Sequence, residues 1–150
     1  MRIHHLTYAE CVEILQRNQL GHLACARFGQ PYVVPIHYSF DPEENCVFGF
    51  STIGQKVEWM RQNPKVCLEV DEIVDKYRWA SVIVTGRYDE IQQADGGAGP
   101  RRSAEDLFRA RREWWLPAVA KLPEQERAGV VVYRIRIAEI TGRRASRSQD

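Results

Sequence analysis

The chain has 150 residues, of which 44% are hydrophobic, and a formal net charge of +1. This size and composition suit one globular domain over residues 1–150, and the near-zero charge excludes a general attraction to nucleic acid or anionic membranes. The four cysteines are spread along the chain without a C-x-x-C pair, so neither a zinc site nor a disulfide framework is expected.

The N-terminal segment leads from a short polar stretch into a helix. Residues 1–5 lack the apolar core of a signal peptide, and no apolar run is long enough to span a bilayer, so a cytoplasmic protein is expected. Thr7 and Glu10 form a capping box, and the apolar residues Cys11, Ile14 and Leu15 recur at helical spacing until residue 18. The pattern predicts an amphipathic helix.

Strand-like apolar runs follow this helix. A hairpin is predicted from residues 21–27 and 32–40, which flank a turn containing glycine and proline. Further strands are predicted at residues 46–50, 66–70, 80–91 and 130–137. Gly86 inside the fifth run indicates a bulge or a close backbone approach. The fold class is therefore mainly β with flanking helices, and the first five strands suggest a barrel.

The C-terminal third is less regular. Residues 92–100 contain little apolar surface and predict a flexible loop. The arginine-rich residues 101–112 favour a helix, and a heavy apolar cluster, Trp114-Trp115-Leu116, follows it. The tail, residues 144–150, is expected to be frayed.

One turn carries the chemistry of an anion site. Residues 51–56 place two hydroxyls, a glycine and a lysine at the start of a short helix, predicted at residues 54–62. Unpaired N–H groups and a partial positive charge at such a helix start can hold a phosphate, and Lys56 adds a full charge. Ordinary capping by Ser51 or Thr52, with a solvated Lys56, explains the same pattern. The glycine spacing is not that of a Walker A loop.

Four segments in a fixed order resemble the FMN-binding split-barrel proteins, the pyridoxamine 5'-phosphate oxidase-like flavoproteins. They are the run at residues 29–35, Phe48-x-Phe50-Ser51-x-x-Gly54-x-Lys56, Asn63-Pro64-x-Val66, and Trp79-x-Ser81-Val82-x-x-x-Gly86. The likeness covers roughly residues 5–90, with a weaker echo at residues 134–143. It implies an FMN-binding split β-barrel, with FMN as the cofactor.

The resemblance also implies where the cofactor lies. One strand would run along the flavin ring with its backbone at the ring edge, and the turn before the short helix would bind the phosphate. Ser81 would reach the flavin from a second subunit, and Trp79 is a wall for the ring or, equally, a core or interface aromatic. The implied assembly is a homodimer with the flavin at the subunit interface. The cofactor-binding residues expected are Val33, Val34, Pro35, Ile36, Phe50, Ser51, Thr52, Gln55, Lys56, Trp79 and Ser81.

Departures from the family pattern limit the activity that the resemblance implies. Gln55 replaces one residue of a basic pair, and Arg134 and Arg136 have no histidine close to them in the sequence. Pyridoxamine 5'-phosphate oxidation itself is therefore not expected. The nitroimidazole-resistance branch is closer in length and strand pattern, but it commonly carries a histidine where this chain has Gly49. His37 is the best candidate for a titrating group near the ring, although a surface position is the commoner outcome for such a histidine.

The predicted function is an FMN-dependent oxidoreductase acting on a small molecule. No catalytic side chain is predicted, because a flavin itself performs the hydride and electron chemistry. A flavin-binding sensor or store without turnover is the first alternative. A nucleic-acid- or partner-binding barrel is the second, supported only by scattered arginines such as Arg101-Arg102 and Arg143-Arg144. A haem or a deazaflavin in place of FMN also stays open.

Overall fold

The computed structural model describes residues 1–91 and 130–147. Within these ranges the chain forms eight strands and two helices. In chain order they are β1 (Arg2–His5), α1 (Tyr8–Arg17), β2 (Leu20–Arg27), β3 (Gln30–His37), β4 (Ser39–Asp41), β5 (Cys46–Thr52), α2 (Gln55–Gln62), β6 (Lys65–Asp75), β7 (Arg78–Glu90) and β8 (Val130–Ser146).

The strands form one antiparallel sheet in the order β3-β2-β6-β7-β8-β5-β4, and β1 also pairs with β8. The two ends of this order, β3 and β4, are consecutive in the chain and are separated only by Tyr38. The sheet therefore curls round on itself, and the predicted mainly β barrel with flanking helices is confirmed. Inward-facing residues of most strands fill the barrel with one hydrophobic core, in which Tyr38, Leu68 and Val82 are completely buried.

Helix α1 begins as its sequence predicts. Thr7 is the N-cap, its hydroxyl accepts a hydrogen bond from the Glu10 backbone, and the Glu10 carboxylate accepts one from the Thr7 backbone. Ile14 and Leu15 are fully buried against the barrel, so α1 closes part of its surface. The two residues each bury enough apolar area to contribute about 2 kcal/mol.

The N-terminal strand and the length of β8 were not predicted. Residues 144–146, expected to be frayed, lie in β8, which continues past Ile137 to Ser146. These residues are extended because β8 pairs with β1, in which Arg2 is opposite Ser146 and His5 is opposite Arg143. The polar sequence of residues 2–5 shows no alternation of its own, since all four residues are exposed, and the pairing with β8 is what makes it a strand.

Strand β6 is also longer than its apolar run. The predicted strand at residues 66–70 extends to Asp75, so Asp71, Glu72 and Asp75 belong to the sheet rather than to a solvated loop. Glu72 accepts hydrogen bonds from Arg17 Nε at 2.6 Å and Asn18 Nδ2 at 2.7 Å. These contacts tie β6 to the end of α1, and they hold the pKa of the Glu72 carboxyl below its ordinary value.

The bulge expected at Gly86 is present. The register between β7 and β8 shifts between Thr85 and Gly86, so that Ala138 is an extra residue in β8. A side chain at position 86 would overlap the carbonyl oxygen of Arg136 and lie 2.8 Å from Ile135 Cγ2. Glycine is therefore required by the close approach of β8 and not by an unusual backbone angle.

Several predictions fall outside the described residues, namely the flexible loop at 92–100, the helix at 101–112 and the cluster around Trp114-Trp115. Over the ranges that are described, none of the helices is long and apolar enough to cross a membrane. The four cysteines are free thiols, and Cys11, Cys25 and Cys46 are buried. Burial raises the pKa of each of these thiols.

Candidate functional site

The start of α2 lacks a side-chain cap. The N-cap residue is Gly54, which has an extended conformation and no side chain with which to form a capping hydrogen bond. The Ser51 hydroxyl instead donates to the carbonyl oxygen of Thr52 at 2.8 Å. The ordinary-capping explanation of this turn is therefore wrong. The first backbone N–H groups of α2 have no intrahelical acceptor, as in any helix, and remain available to an anion.

Lys56 lies in the first turn of α2 and is half-buried. Among the residues described in the structure, no carboxylate forms an ion pair with its ammonium group, whereas seven arginines in the same ranges do have such partners. Burial lowers the pKa of Lys56, and its titration is coupled to the neighbouring Cys25 thiol. A partly desolvated cation at a helix start is the arrangement that binds phosphate.

Strand β3 lies beside this helix. Among the strands of residues 1–91 and 130–147 it pairs only with β2, so its other edge has no partner within these ranges. Tyr32 on β3 contacts Trp59 on α2, with ring centroids 5.5 Å apart. The predicted ring-binding segment therefore lies next to the predicted phosphate-binding helix.

The side chains of that segment alternate. Val33 and Pro35 face outward and are exposed, whereas Ile36 is buried in the core and Val34 packs against it. Val34 and Ile36 can therefore contribute only backbone groups to a ligand on the outside. Backbone contacts are also what the sequence resemblance implies for this strand.

The remaining residues of the predicted phosphate-binding turn differ in their exposure to solvent. Thr52 and Gln55 are exposed at the end of β5 and the start of α2. Phe50 packs against a second hydrophobic cluster, formed by Cys46, Phe48, Ile91 and Val132. Phe50 thus supports the turn from below.

Trp79 and Ser81 line a separate cavity of about 470 Å³. Its other walls come from Ile83 on β7, from Thr141 and Arg143 on β8, and from His5 on β1. Sequence analysis did not connect His5 with Arg143, because they are opposed only through the unpredicted pairing of β1 with β8. The alternation of exposed residues along β7 is the one local signal that Trp79, Ser81 and Ile83 share a face.

The Ser81 hydroxyl has a partner in the described structure. It donates to Glu69 Oε1 at 2.8 Å, and the other Glu69 oxygen lies 3.3 Å from His22 Nδ1. His22, Glu69 and Asp71 place potential ligand atoms within 4.8 Å of one another. Both Glu69 oxygens already have hydrogen-bond partners. The three side chains come from β2 and β6, which are far apart in the sequence, so residue spacing along the chain did not indicate this cluster.

The predicted site residues thus form two groups within one chain. One comprises β3 and the start of α2, near Cys25 and Tyr32. In the sheet, Ala24 on β2 is opposite Cys67 on β6, and Cys67 is opposite Thr85 on β7. Cys25 follows Ala24 in β2. Cys25 is therefore level with Gly86, and Ser81 lies five residues further along β7, roughly 16 Å away. The fold brings the phosphate and ring segments together and keeps Trp79 and Ser81 apart from them.

Two other residues singled out by the sequence have defined surroundings. His37 ends β3, and partial burial lowers the pKa of its imidazole, while a hydrogen bond with the Gln19 backbone acts in the opposite direction. Gly49 is buried in β5 opposite Tyr133. A Cβ atom at position 49 would lie 2.5 Å from the Tyr133 hydroxyl oxygen, so a histidine there requires Tyr133 to move.

The fold and this geometry define a class: a split β-barrel protein in which an uncapped helix start lies beside a strand edge without a partner strand among the described residues. The sequence profile of the family described as Pyridoxamine 5'-phosphate oxidase matches residues 7–144. The chain belongs to this family.

Similar proteins cover nearly the whole chain. An uncharacterized protein of Rhizobium meliloti (strain 1021) is 37% identical over 148 residues, which is 97% of each chain. The crystal structure of an FAD-binding protein from Mesorhizobium loti is 38% identical and covers 97% of this chain and 100% of its own, with a TM-score of 0.79. The FAD-binding protein from Mycobacterium smegmatis is 23% identical over 97% of this chain and all of its own, with a TM-score of 0.68, and shows the fold alone.

Proposed function

We propose that this protein binds a flavin nucleotide, with the phosphate of the FMN moiety at the start of α2 and the ring along β3. The observation that carries the proposal is the half-buried Lys56 ammonium, which has no carboxylate partner in the described ranges and lies in the first turn of an uncapped helix. The similarity to the Mesorhizobium loti FAD-binding protein, at 38% identity, supports it.

The residues present fit such a cofactor. Lys56 and the first N–H groups of α2 would hold the phosphate, with Thr52 and Gln55 exposed beside them. The edge of β3 that faces away from β2, which no described strand pairs with, offers backbone donors and acceptors for a ring edge. A flavin bound there would supply the hydride and electron chemistry. Burial lowers the pKa of the His37 imidazole, which favours its neutral form, and a neutral imidazole would act as a hydrogen-bond partner without adding charge.

The finer proposal is an oxidoreductase that acts on a small molecule. The exposed face of β3, with Val33 62% exposed, leaves one side of a bound ring accessible to a second ligand. The protein would bind and orient both molecules and exclude water, without a protein acid or base. A flavin store or sensor differs from this only in lacking turnover.

Purified protein is expected to retain flavin absorbance bands after FMN is added and the sample is desalted. NADH or NADPH should then bleach the bands, and an added electron acceptor should restore them. Bleaching without any acceptor turnover would favour the sensing or storage role. A protein that holds no flavin would contradict the proposal, and a haem would be recognised by its Soret band in the same spectrum.

A homodimer would complete the site. The outer face of β2, β6 and β7 carries small or apolar side chains, such as Ala24, Cys67 and Ile83, among charged ones that include Glu69. These small and apolar side chains offer a surface that a partner chain would cover. In one chain Ser81 and Trp79 lie about 16 Å and 23 Å along β7 from Gly86, which is level with Cys25 beside Lys56. A two-fold partner would therefore be needed to supply them to the flavin.

Ile83→Lys is expected to weaken dimerisation by at least about tenfold, because a longer charged side chain would be buried at the proposed interface beside Glu69, whose two oxygens already contact Ser81 and His22. The mass from light scattering should fall from twice 17.4 kDa toward 17.4 kDa, and flavin retention should fall with it. Tyr8→Lys is the matched control, since Tyr8 is 60% exposed on α1. A wild-type monomer that retains flavin would contradict the dimeric site.

A further inference from the structure

Groups of opposite charge stand on two sides of the cavity of about 470 Å³. Strand pairing sets four residues side by side across β6, β7, β8 and β1, each directly opposite the next: Asp71, Ser81, Arg143 and His5. The last three line the cavity, and Asp71 adjoins it through Ser81. Neighbouring strands are about 4.8 Å apart, so the Cα atoms of Asp71 and Arg143 are separated by roughly 10 Å.

The charged groups of this row are not paired with each other. Arg143 is exposed, and within residues 1–91 and 130–147 no carboxylate lies within ion-pair distance of it, whereas the next residue, Arg144, pairs with Glu10. Asp71 is also exposed, and its carboxylate has neither an ion pair nor a hydrogen bond with the same part of the chain. Each charge is therefore available to a ligand group of opposite sign.

Ser81 lies between these two charges and presents a hydrogen-bond acceptor. Its hydroxyl donates to Glu69 Oε1 at 2.8 Å, and the other Glu69 oxygen lies 3.3 Å from His22 Nδ1. A hydroxyl has one proton and two lone pairs, so Ser81 can offer a ligand only its lone pairs while this bond persists. A ligand group beside Ser81 and Asp71 must therefore be a donor, and an ammonium satisfies both.

The rest of the cavity suits a small apolar group. Trp79 and Ile83 stand on either side of Ser81 along β7, and both line the cavity and are only partly exposed. The cavity volume is within the usual range of small-molecule sites. An apolar side chain of modest size can therefore lie against these two residues.

The cavity is placed where a ligand can meet the flavin of the proposed dimer. The small side chains Ala24 and Cys67, which the partner chain would cover, lie further across the sheet toward β2. Trp79 and Ser81, in contrast, are the residues that a flavin bound to the partner would reach. The ring would then close the open side of the cavity and hold a ligand against Trp79.

We infer that this cavity binds a free amino acid with an apolar side chain. Arg143 would hold the carboxylate by two parallel hydrogen bonds, with the His5 imidazole as a further donor. Asp71 and Ser81 would hold the ammonium, and the apolar side chain would lie against Trp79. All of these residues belong to one chain, so only the role of the amino acid as substrate rests on the proposed function.

Calorimetric titration of the full chain with L-leucine, before and after loading with FMN, tests the inference. Isocaproate and isoamylamine are the matched probes, because they have the same carbon skeleton without the ammonium and without the carboxylate. Leucine should bind at least about tenfold more tightly than either probe, since each probe leaves one charged side chain without its partner. Tighter binding after FMN loading would support contact with the ring.

Two variants should separate the two ends of the ligand. Arg143→Gln should weaken leucine and isocaproate about tenfold and leave isoamylamine within about twofold. Asp71→Asn should weaken leucine and isoamylamine and leave isocaproate within about twofold. Arg2→Gln is the matched control, since Arg2 is exposed on β1 opposite Ser146 and, by strand alternation, points away from the cavity.

The altered side chains are exposed, so the thermal midpoints of the variants should match that of the wild-type protein. If none of the three probes binds, or if both variants weaken all probes alike, the inference is wrong. Flavin retention is measured in the same samples. Retained FMN without leucine binding would leave the proposed function standing and remove the inference, whereas leucine binding with the expected variant pattern and no retained FMN would do the reverse.

Discussion

Lys56→Ala is expected to weaken FMN binding about 100-fold, which corresponds to about 2.7 kcal/mol and lies within the usual range for a hydrogen bond to a charged group. The effect should be large because Lys56 is half-buried and has no carboxylate partner in the described ranges, so a phosphate would be its first full counter-charge. Equilibrium dialysis of FMN against the two proteins measures the difference.

The folded state itself should not depend on this lysine. An ammonium that is partly desolvated without an ion-pair partner costs free energy, so Lys56→Ala should leave the urea midpoint unchanged or slightly raised. Lys76→Ala, at the exposed turn between β6 and β7, is the control for loss of one positive charge. Full FMN affinity in Lys56→Ala would place the phosphate elsewhere.

Because Lys56 must be protonated to attract the phosphate, FMN affinity is expected to fall as the pH rises. Burial lowers the pKa of Lys56 in the free protein, and a bound phosphate would raise it again by favouring the charged form. Affinity is then fully present below the free-protein pKa and is lost as pH rises toward the bound-state pKa. At the acid end it weakens again near pH 6, as the phosphate dianion takes up one proton and becomes a monoanion. In Lys56→Ala the alkaline decrease should disappear.

Local patterns in the sequence were enough for the parts of the fold that depend on near neighbours. The capping box of Thr7 and Glu10 predicted α1, and glycine inside an apolar run predicted the bulge at Gly86. Residues 2–5 and 138–146 were missed because neither segment carries a strand pattern alone. Each is a strand because it pairs with another part of the sheet.

The same distinction, between features set by neighbouring residues and features set by strand pairing, applies to the candidate site. Lys56 could be predicted because hydroxyls, glycine and lysine stand together before one helix. The pairing of His5 with Arg143 could not, because it arises from the register between β1 and β8. The sequence also could not show that the Ser51 hydroxyl donates to the Thr52 carbonyl oxygen and does not cap α2. The same serine can adopt a rotamer that caps the helix or one that does not.

Gly86→Ala is expected to lower the free energy of unfolding by about 2–3 kcal/mol, the usual cost of overpacking a rigid site. The added Cβ would overlap the Arg136 carbonyl oxygen and press on Ile135 Cγ2 at 2.8 Å. A backbone oxygen cannot rotate aside as a flexible side chain can, so β7 and β8 must separate at the bulge. Urea unfolding followed by circular dichroism measures the change.

Gly54→Ala provides the comparison, because a Cβ at position 54 meets no atom within 4 Å and its φ of −158° is open to any residue. It should cost at most about 1 kcal/mol, through the weaker preference of alanine for a helix N-cap. Equal losses in the two variants would mean that chain flexibility, and not contact with β8, sets the cost. A loss confined to Gly86→Ala would establish that the bulge, which adds Ala138 to β8, is held by this backbone contact.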